Sequence, residues 1–313
     1  MESLNLVESL SVWTPADFPN EFAWSFTLTA DDQRALIEYA RGGPGEDLSR
    51  QIGTASAHWA ELLVDGPGFV RLREFPVDAL TERELERAYI GIGTLLGHPV
   101  GQDRANNLVT RIRDERLQAG PGVRRYQTNL SQGFHSDASD LVALLCVHPA
   151  KVGGKSKIVS AHALYNEMLR RDPHLVEVLY LPMPWSRHTE TRPNESAYFE
   201  LAPIAEVDGK PRISFIPWFI RQSQQHASAP RLTDDQLAAL ALLEEIANDP
   251  AFQISMVFQS GDVQLLNNTT VLHSRDAYLD HNDPSLRRCL LRLWLTIDTP
   301  VADEILRGGE VGP

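Results

Sequence analysis

Three amphipathic stretches of the chain begin in the same way. TADD (29–32) precedes an apolar pattern in DDQRALIEYARGG, TERE (81–84) precedes ERELERAYIGIGTLLG, and TDDQ (233–236) precedes DDQLAALALLEEIAND. In each, the threonine hydroxyl can accept from an orphan backbone N–H while the side chain three residues on reaches back, which predicts a helix start. A fourth helix is expected over 161–180. Strand patterns lie between and after these helices. GFVRLREF (68–75) follows a Pro-Gly turn, and SDLVALLCVHP (139–149) and SKIVSAH (156–162) flank Gly153-Gly154. PRISFIPWFI (211–220) follows Asp208-Gly209, a hairpin signal. FQISMVFQ, DVQLLNNTTVLHS and RRCLLRLWLTI complete the series. Strands dominate from about residue 105, and no repeat, low-complexity linker or domain break interrupts them. The expected fold is α+β in one domain over 1–313: a mostly helical part, 1–104, packing on an antiparallel barrel or sandwich, 105–300.

Composition narrows the class. The 313 residues are 42% apolar and 23% charged, ordinary for a globular chain. A formal net charge of −13 argues against nucleic acid or an anionic membrane as partner. It leaves an anionic small-molecule substrate open, because a local arginine cluster can oppose the global field. MESLNLVESL has no basic n-region and no apolar h-region, and no apolar run approaches the ~20 residues of a membrane span. The expectation is a cytoplasmic protein acting on a small molecule, alone or as a homo-oligomer. Cys146 and Cys289 lie in apolar stretches and are expected as buried reduced thiols; they form neither a disulfide framework nor a zinc pattern. Gly91, Gly93 and Gly97 miss the dinucleotide spacing by one and fall inside a helical pattern.

The candidate chemistry lies in QGFHSDASD (132–140). In a strand, His135 and Asp137 would project from one face and offer two adjacent ligand positions to a metal. A third ligand would complete a two-histidine, one-carboxylate face with open positions, suited to non-haem Fe(II) and oxygen chemistry. A lone histidine is usually surface or core, and most of the ten histidines lie in polar, helical or loop surroundings. His281-Asn-Asp283 repeats the spacing but sits in a turn pattern. His273 differs: it ends an apolar strand pattern, 138 residues after His135. Fifteen residues further on comes Arg288, and Arg288, Leu290 and Arg292 share a face by period 2. Arginines on a buried face are costly unless paired with an anion, and a guanidinium suits a carboxylate. Ser156 could add a hydroxyl. A metal triad with such a pair implies a small dicarboxylic co-substrate chelating the iron.

On these residues the chain resembles the TauD/TfdA branch of the Fe(II)/2-oxoglutarate-dependent dioxygenases. FHSD (134–137), GGKS (153–156), LHSR (272–275) and RRCLLR (287–292) occur in that family's order and span about half the chain. The resemblance implies a double-stranded β-helix, or jelly-roll, core with flanking helices. It implies Fe(II) held by His135, Asp137 and His273. It places the distal carboxylate of 2-oxoglutarate on Arg288 and Ser156, the latter standing where the family often has Thr. Arg292 would sit near the metal-bound end of 2-oxoglutarate or near the substrate. It further implies consumption of 2-oxoglutarate and O2, release of succinate and CO2, and oxidation of a C–H bond. In related halogenases a small residue replaces the carboxylate, so Asp137 points to hydroxylation, desaturation or cyclisation.

The primary substrate is expected to be a small, anionic or zwitterionic, amino acid-like metabolite. Candidate pocket residues are Tyr126, Gln127, Asn129, Arg187, Trp218 and Arg221, with core packing for the aromatics and solvated surface for the arginines as the alternatives. Two other classes stand beside this reading. A zinc-dependent hydrolase could use the same three ligands and would not need Arg288 inside. In a metal-free jelly-roll binding protein the three would not converge.

Overall fold

The computed structural model describes residues 4–42, 48–103, 105–117, 123–187, 195–207 and 209–297. Its longer helices are α1 (Ala30–Ala40), α2 (Leu48–Val64), α3 (Glu82–Gly93), α4 (Ala161–Arg171), α5 (Pro173–Leu179), α6 (Pro217–Ser223) and α7 (Asp234–Asn248). Thr29, Thr81 and Thr233 form the expected capping boxes with Asp32, Glu84 and Gln236. Helix α2 carries no such signal and was not expected; its buried Leu48, Ile52, Trp59 and Leu63 make it amphipathic.

Three elements depart from the sequence pattern. Residues 161–180 form two helices, because Pro173 has no N–H to continue the ladder. Asp172 ends α4 and caps α5, accepting from Leu175 N–H at 3.3 Å. The strand expected over 211–220 stops at Ile213, and Pro217 opens α6, where a missing N–H costs nothing. DVQLLNNTTVLHS is two strands, Val263–Asn267 and Val271–Arg275. Between them the Asn267 side-chain oxygen accepts from Thr269 N–H at 3.0 Å and Thr269 Oγ1 at 2.7 Å, a local turn that competes with extended pairing.

These two strands belong to different sheets. The larger sheet has seven strands. Ser25–Thr27, Phe69–Arg73, Val263–Asn267, Leu141–His148, Cys289–Thr296 and His98–Val100 run in that order, and Val109–Ile112 also pairs with Cys289–Thr296. Only its first pair is parallel. The smaller sheet is antiparallel, in the order Ile254–Met256, Ser156–Ser160, Val271–Arg275, Gln132–His135. A hairpin joins Ile204–Val207 to Lys210–Ile213 through Gly209 at φ 71°, while Asp208 lies outside the described residues.

Three apolar clusters set the layers. Leu141, Ala143 and Leu145 pack with residues of α1, α2 and α3 on one face of the large sheet. Val142, Leu144 and Cys146 alternate to the other face and meet Ile158, Met256 and Val271 of the small sheet. The outer face of the small sheet, with Phe134, Val159 and Leu272, is covered by α4, α5, α6 and α7. Burial on both faces explains the unbroken apolar run LVALLCV. Cys146 is buried and Cys289 half-buried, both as free thiols, and burial pushes the Cys146 thiol up to about 12. Gly91 and Gly93 serve packing: a Cβ would lie 2.4 Å from Tyr39 Cε1 and Leu293 Cδ2 respectively.

Candidate metal centre

The space between the sheets holds a polar cleft. His135 ends the strand Gln132–His135, and Asp137 lies just beyond the strand rather than within it. Its placement comes from cross-links. Ser136 N–H donates to Phe215 O, Phe215 N–H donates to Ser136 Oγ, both at 2.9 Å, and Asp137 N–H donates to Asn268 Oδ1 at 3.0 Å. His273 lies opposite His135 on the neighbouring strand, with ring centroids 4.2 Å apart. One ligand atom from each of His135, Asp137 and His273 falls within 4.8 Å of the others.

The protonation chemistry suits ligation. Gly133 O, which can only accept, is 2.9 Å from His135 Nδ1, so that nitrogen carries the proton and Nε2 keeps its lone pair. Gln132 Nε2 donates toward that lone pair at 3.0 Å. Burial lowers the pKa of both imidazoles. His273 falls to about 3, with the neighbouring His135 adding to the effect. Burial alone would raise the Asp137 carboxyl, but the Arg292 guanidinium, the largest opposing cause, holds it below the usual carboxylate range. Asp137 Oδ1 accepts from Arg292 Nη1 at 3.0 Å. Asp137 Oδ2 lies 4.0 Å from His273 Nε2 and has no hydrogen-bond partner. Two neutral imidazoles and a bare buried carboxylate oxygen form a donor set that fits a divalent metal such as Fe(II).

Arg292 is itself held. Its Nε donates to Gln102 Oε1 at 2.7 Å, and Gln102 Nε2 donates to Leu108 O and Arg292 O at 2.7 and 2.8 Å. The guanidinium carbon lies 4.6 Å from the Trp294 ring and 5.4 Å from the Tyr126 ring.

Ser156, Arg275 and Arg288 line the same cleft. Ser156 Oγ donates to Gln264 Oε1 at 3.0 Å. Arg288 is 4% exposed, and its Nη1 has no partner. Gly154 adopts φ 67°, and a Cβ there would sit 3.4 Å from Arg288 Nε, so glycine both makes the turn and leaves room for the guanidinium.

The other candidates divide. Tyr126 lines the cleft, and Trp218 on α6 has its ring 4.9 Å from that of His135. Asn129, Arg187 and Arg221 do not line it. Asn129 exchanges hydrogen bonds with the Tyr278 backbone. Arg187 stacks over Phe199 at 5.2 Å, and Arg221 forms a two-pronged pair with Glu244 on α7. Gln127 donates to Glu115. Asp283 caps a turn through Ser285, and among the described residues neither it nor His281 joins the cluster that could hold a metal. His188 lies outside the described residues. Sequence reasoning missed Gln102, Gln132, Gln264, Asn268 and Arg275. For Gln264 and Arg275 there was a signal: a polar side chain at an inward position of an apolar strand.

The family model described as "Taurine catabolism dioxygenase TauD, TfdA family" matches residues 34–294. Among curated proteins, FR-33289 synthase of Streptomyces rubellomurinus is 31% identical, covering 93% of this chain and 91% of that protein. Uridine-5'-phosphate dioxygenase of a Streptomyces species is 24% identical over 76% of this chain and 92% of that protein. Among solved structures, an asparagine oxygenase with Fe(II), 2S,3S-3-hydroxyasparagine and succinate superposes at TM-score 0.65 and 17% identity, covering 87% of this chain and 94% of that one. The non-heme iron oxygenase OrfP with Fe and alpha-ketoglutaric acid gives 0.63 and 18%, covering 88% and 94%. With a match this long, and a relative this similar over nearly its whole length, the chain belongs to the TauD/TfdA family and is an Fe(II)- and 2-oxoglutarate-dependent dioxygenase.

Proposed function

We propose that the protein hydroxylates an unactivated C–H bond of a small zwitterionic, amino acid-like metabolite. In this reading His135, Asp137 and His273 hold Fe(II), Arg288 and Ser156 hold the distal carboxylate of 2-oxoglutarate, and the two sheets form a double-stranded β-helix in a single domain. The observation that carries it is the bare Asp137 Oδ2 beside two buried neutral imidazoles. The iron, when bound, supplies the redox chemistry that couples O2 and 2-oxoglutarate to substrate oxidation. The chain's own residues then have defined tasks. Arg292 fixes Asp137 through Oδ1 so that Oδ2 faces the two histidines. Gly133 O fixes the His135 tautomer. Arg288 supplies unpaired N–H donors in a buried setting, where charge-assisted bonds are strong.

The buried position of Arg288 weighs against a zinc hydrolase, and the convergence of the three ligands weighs against a metal-free binding module. The substrate class draws support from the neighbours whose names carry hydroxyasparagine and hydroxy-L-Arg. In this reading Tyr126, which lines the cleft, and Trp218, whose ring neighbours that of His135, flank that substrate. Among the described residues no helix is long and apolar enough to cross a membrane.

Anaerobic titration of the protein with Fe(II) and 2-oxoglutarate tests the cofactor assignment, with a weak visible charge-transfer band expected. Aerobic turnover over a panel of free amino acids, read as succinate release and a product heavier by one oxygen taken from O2, tests the substrate class. No band, or succinate formed without O2, would overturn the reading.

A further inference from the structure

We propose that Arg275 is a second guanidinium of the co-substrate pocket, gripping the distal carboxylate of 2-oxoglutarate together with Arg288. This rests on the function proposed above. Arg275 follows His273 by two residues on one strand, so both side chains face inward. It lies directly opposite Ser156 in the antiparallel pair. Its side chain is buried, with 8% of the residue exposed. One terminal nitrogen, Nη2, donates to Thr128 O at 2.9 Å and to Leu130 O. The other donors, Nε and Nη1, have no partner, and neither has Arg288 Nη1. Both guanidinium carbons lie against the Tyr278 ring, at 5.0 and 4.9 Å from its centroid. Among the described residues neither arginine forms an ion pair with an acid.

Two buried cations against one tyrosine ring, with empty donors, are costly on their own. A carboxylate relieves that cost, since two oxygens offer about four acceptor sites and can take bonds from both forks. The pocket therefore selects a 2-oxo acid with a second, ionised carboxylate. A 2-oxo acid ending in methyl would leave both guanidiniums unpaired.

Arg275 also ties the 128–130 segment to its strand, so the test must separate binding from bracing. The Fe(II)-loaded protein is titrated anaerobically with 2-oxoglutarate and with 2-oxovalerate, which has a methyl in place of the distal carboxylate; the visible band reports both. Arg275→Met should weaken 2-oxoglutarate by about 10- to 100-fold, the loss of one charge-assisted bond. It should leave 2-oxovalerate within about 2-fold. Arg275→Lys keeps the charge but loses the fork, and should fall between for 2-oxoglutarate; it carries the comparison if the methionine variant does not fold. Unchanged 2-oxoglutarate affinity, or equal loss for both acids, would overturn the proposal and leave Arg275 a brace. A missing band in the unsubstituted protein would instead overturn the parent assignment.

Discussion

Replacing Arg292 by methionine removes the guanidinium that donates to Asp137 Oδ1. Both side chains are about 8% exposed. Charge centres ~4 Å apart attract by about 4 kcal/mol at an effective dielectric of ~20. Breaking a buried pair by deleting one partner costs about 3–5 kcal/mol, in agreement. Without the Arg292 guanidinium, the largest of the causes that lower it, the Asp137 carboxyl should rise. In the unsubstituted protein this carboxyl is held low, so the ion pair contributes fully above the unfolded pKa of about 3.9 and is lost only as pH falls through the lower folded value. In the variant the proton competes with the metal for this carboxylate, more so as pH falls. Fe(II) affinity, measured anaerobically against a chromophoric chelator, should drop about 10- to 100-fold at pH 7. It should recover in part by pH 8.5, and Arg292→Lys should lose less. An affinity unchanged across this range, or a loss with no pH dependence, would refute the reasoning.

His135→Ala, Asp137→Ala and His273→Ala should each abolish stoichiometric iron in the purified protein, while His281→Ala and Asp283→Ala keep it; metal analysis showing full iron in His273→Ala would exclude that ligand. Arg288→Ala should weaken 2-oxoglutarate by about 1.5–3 kcal/mol for each charge-assisted bond lost, and Ser156→Ala by about 1 kcal/mol; the reverse order in an equilibrium titration would reverse the assignment. In the metal-free protein His273 titrates at about 3 when folded and ~6.5 when unfolded, so the unfolded state binds more protons between these values. Stability to urea should therefore be full above pH ~6.5 and fall by up to about 1.4 kcal/mol per unit below it. His273→Gln should flatten that slope, and an equally steep slope in the variant would count against a neutral buried imidazole.

The candidate ligands were readable because the H-x-D spacing is short and His273 ends an apolar strand pattern, although Asp137 itself lies just past the strand. The two-residue step from His135 to Asp137 and the period-2 face of Arg288 and Arg292 survive errors in element boundaries, and so do capping boxes, which are local. What failed depends on more distant contacts. The helix over 161–180 was drawn through Pro173 because its apolar pattern continues on both sides. Arg221 was a candidate for the pocket, with solvated surface as the alternative, and it lies beyond the first turn of α6 and meets Glu244.

The sharpest case is NNTT within DVQLLNNTTVLHS. Read by period alone, the stretch is one strand, and His273 is its end. In the structure the polar residues turn the chain from the large sheet to the small one, so Gln264 and His273 approach the cleft from opposite walls. The turn is also buried: Asn267 and Asn268 are 5% and 3% exposed. Asn267 Nδ2 donates to Leu63 O of α2 at 3.0 Å. Asn268 Nδ2 donates to Ser139 O at 2.9 Å while its Oδ1 receives the Asp137 N–H. Buried amides with every polar atom satisfied fix one geometry, because any shift leaves a donor or acceptor unpaired. The turn that separates the two strands therefore also sets the backbone of Asp137, the candidate metal-binding carboxylate.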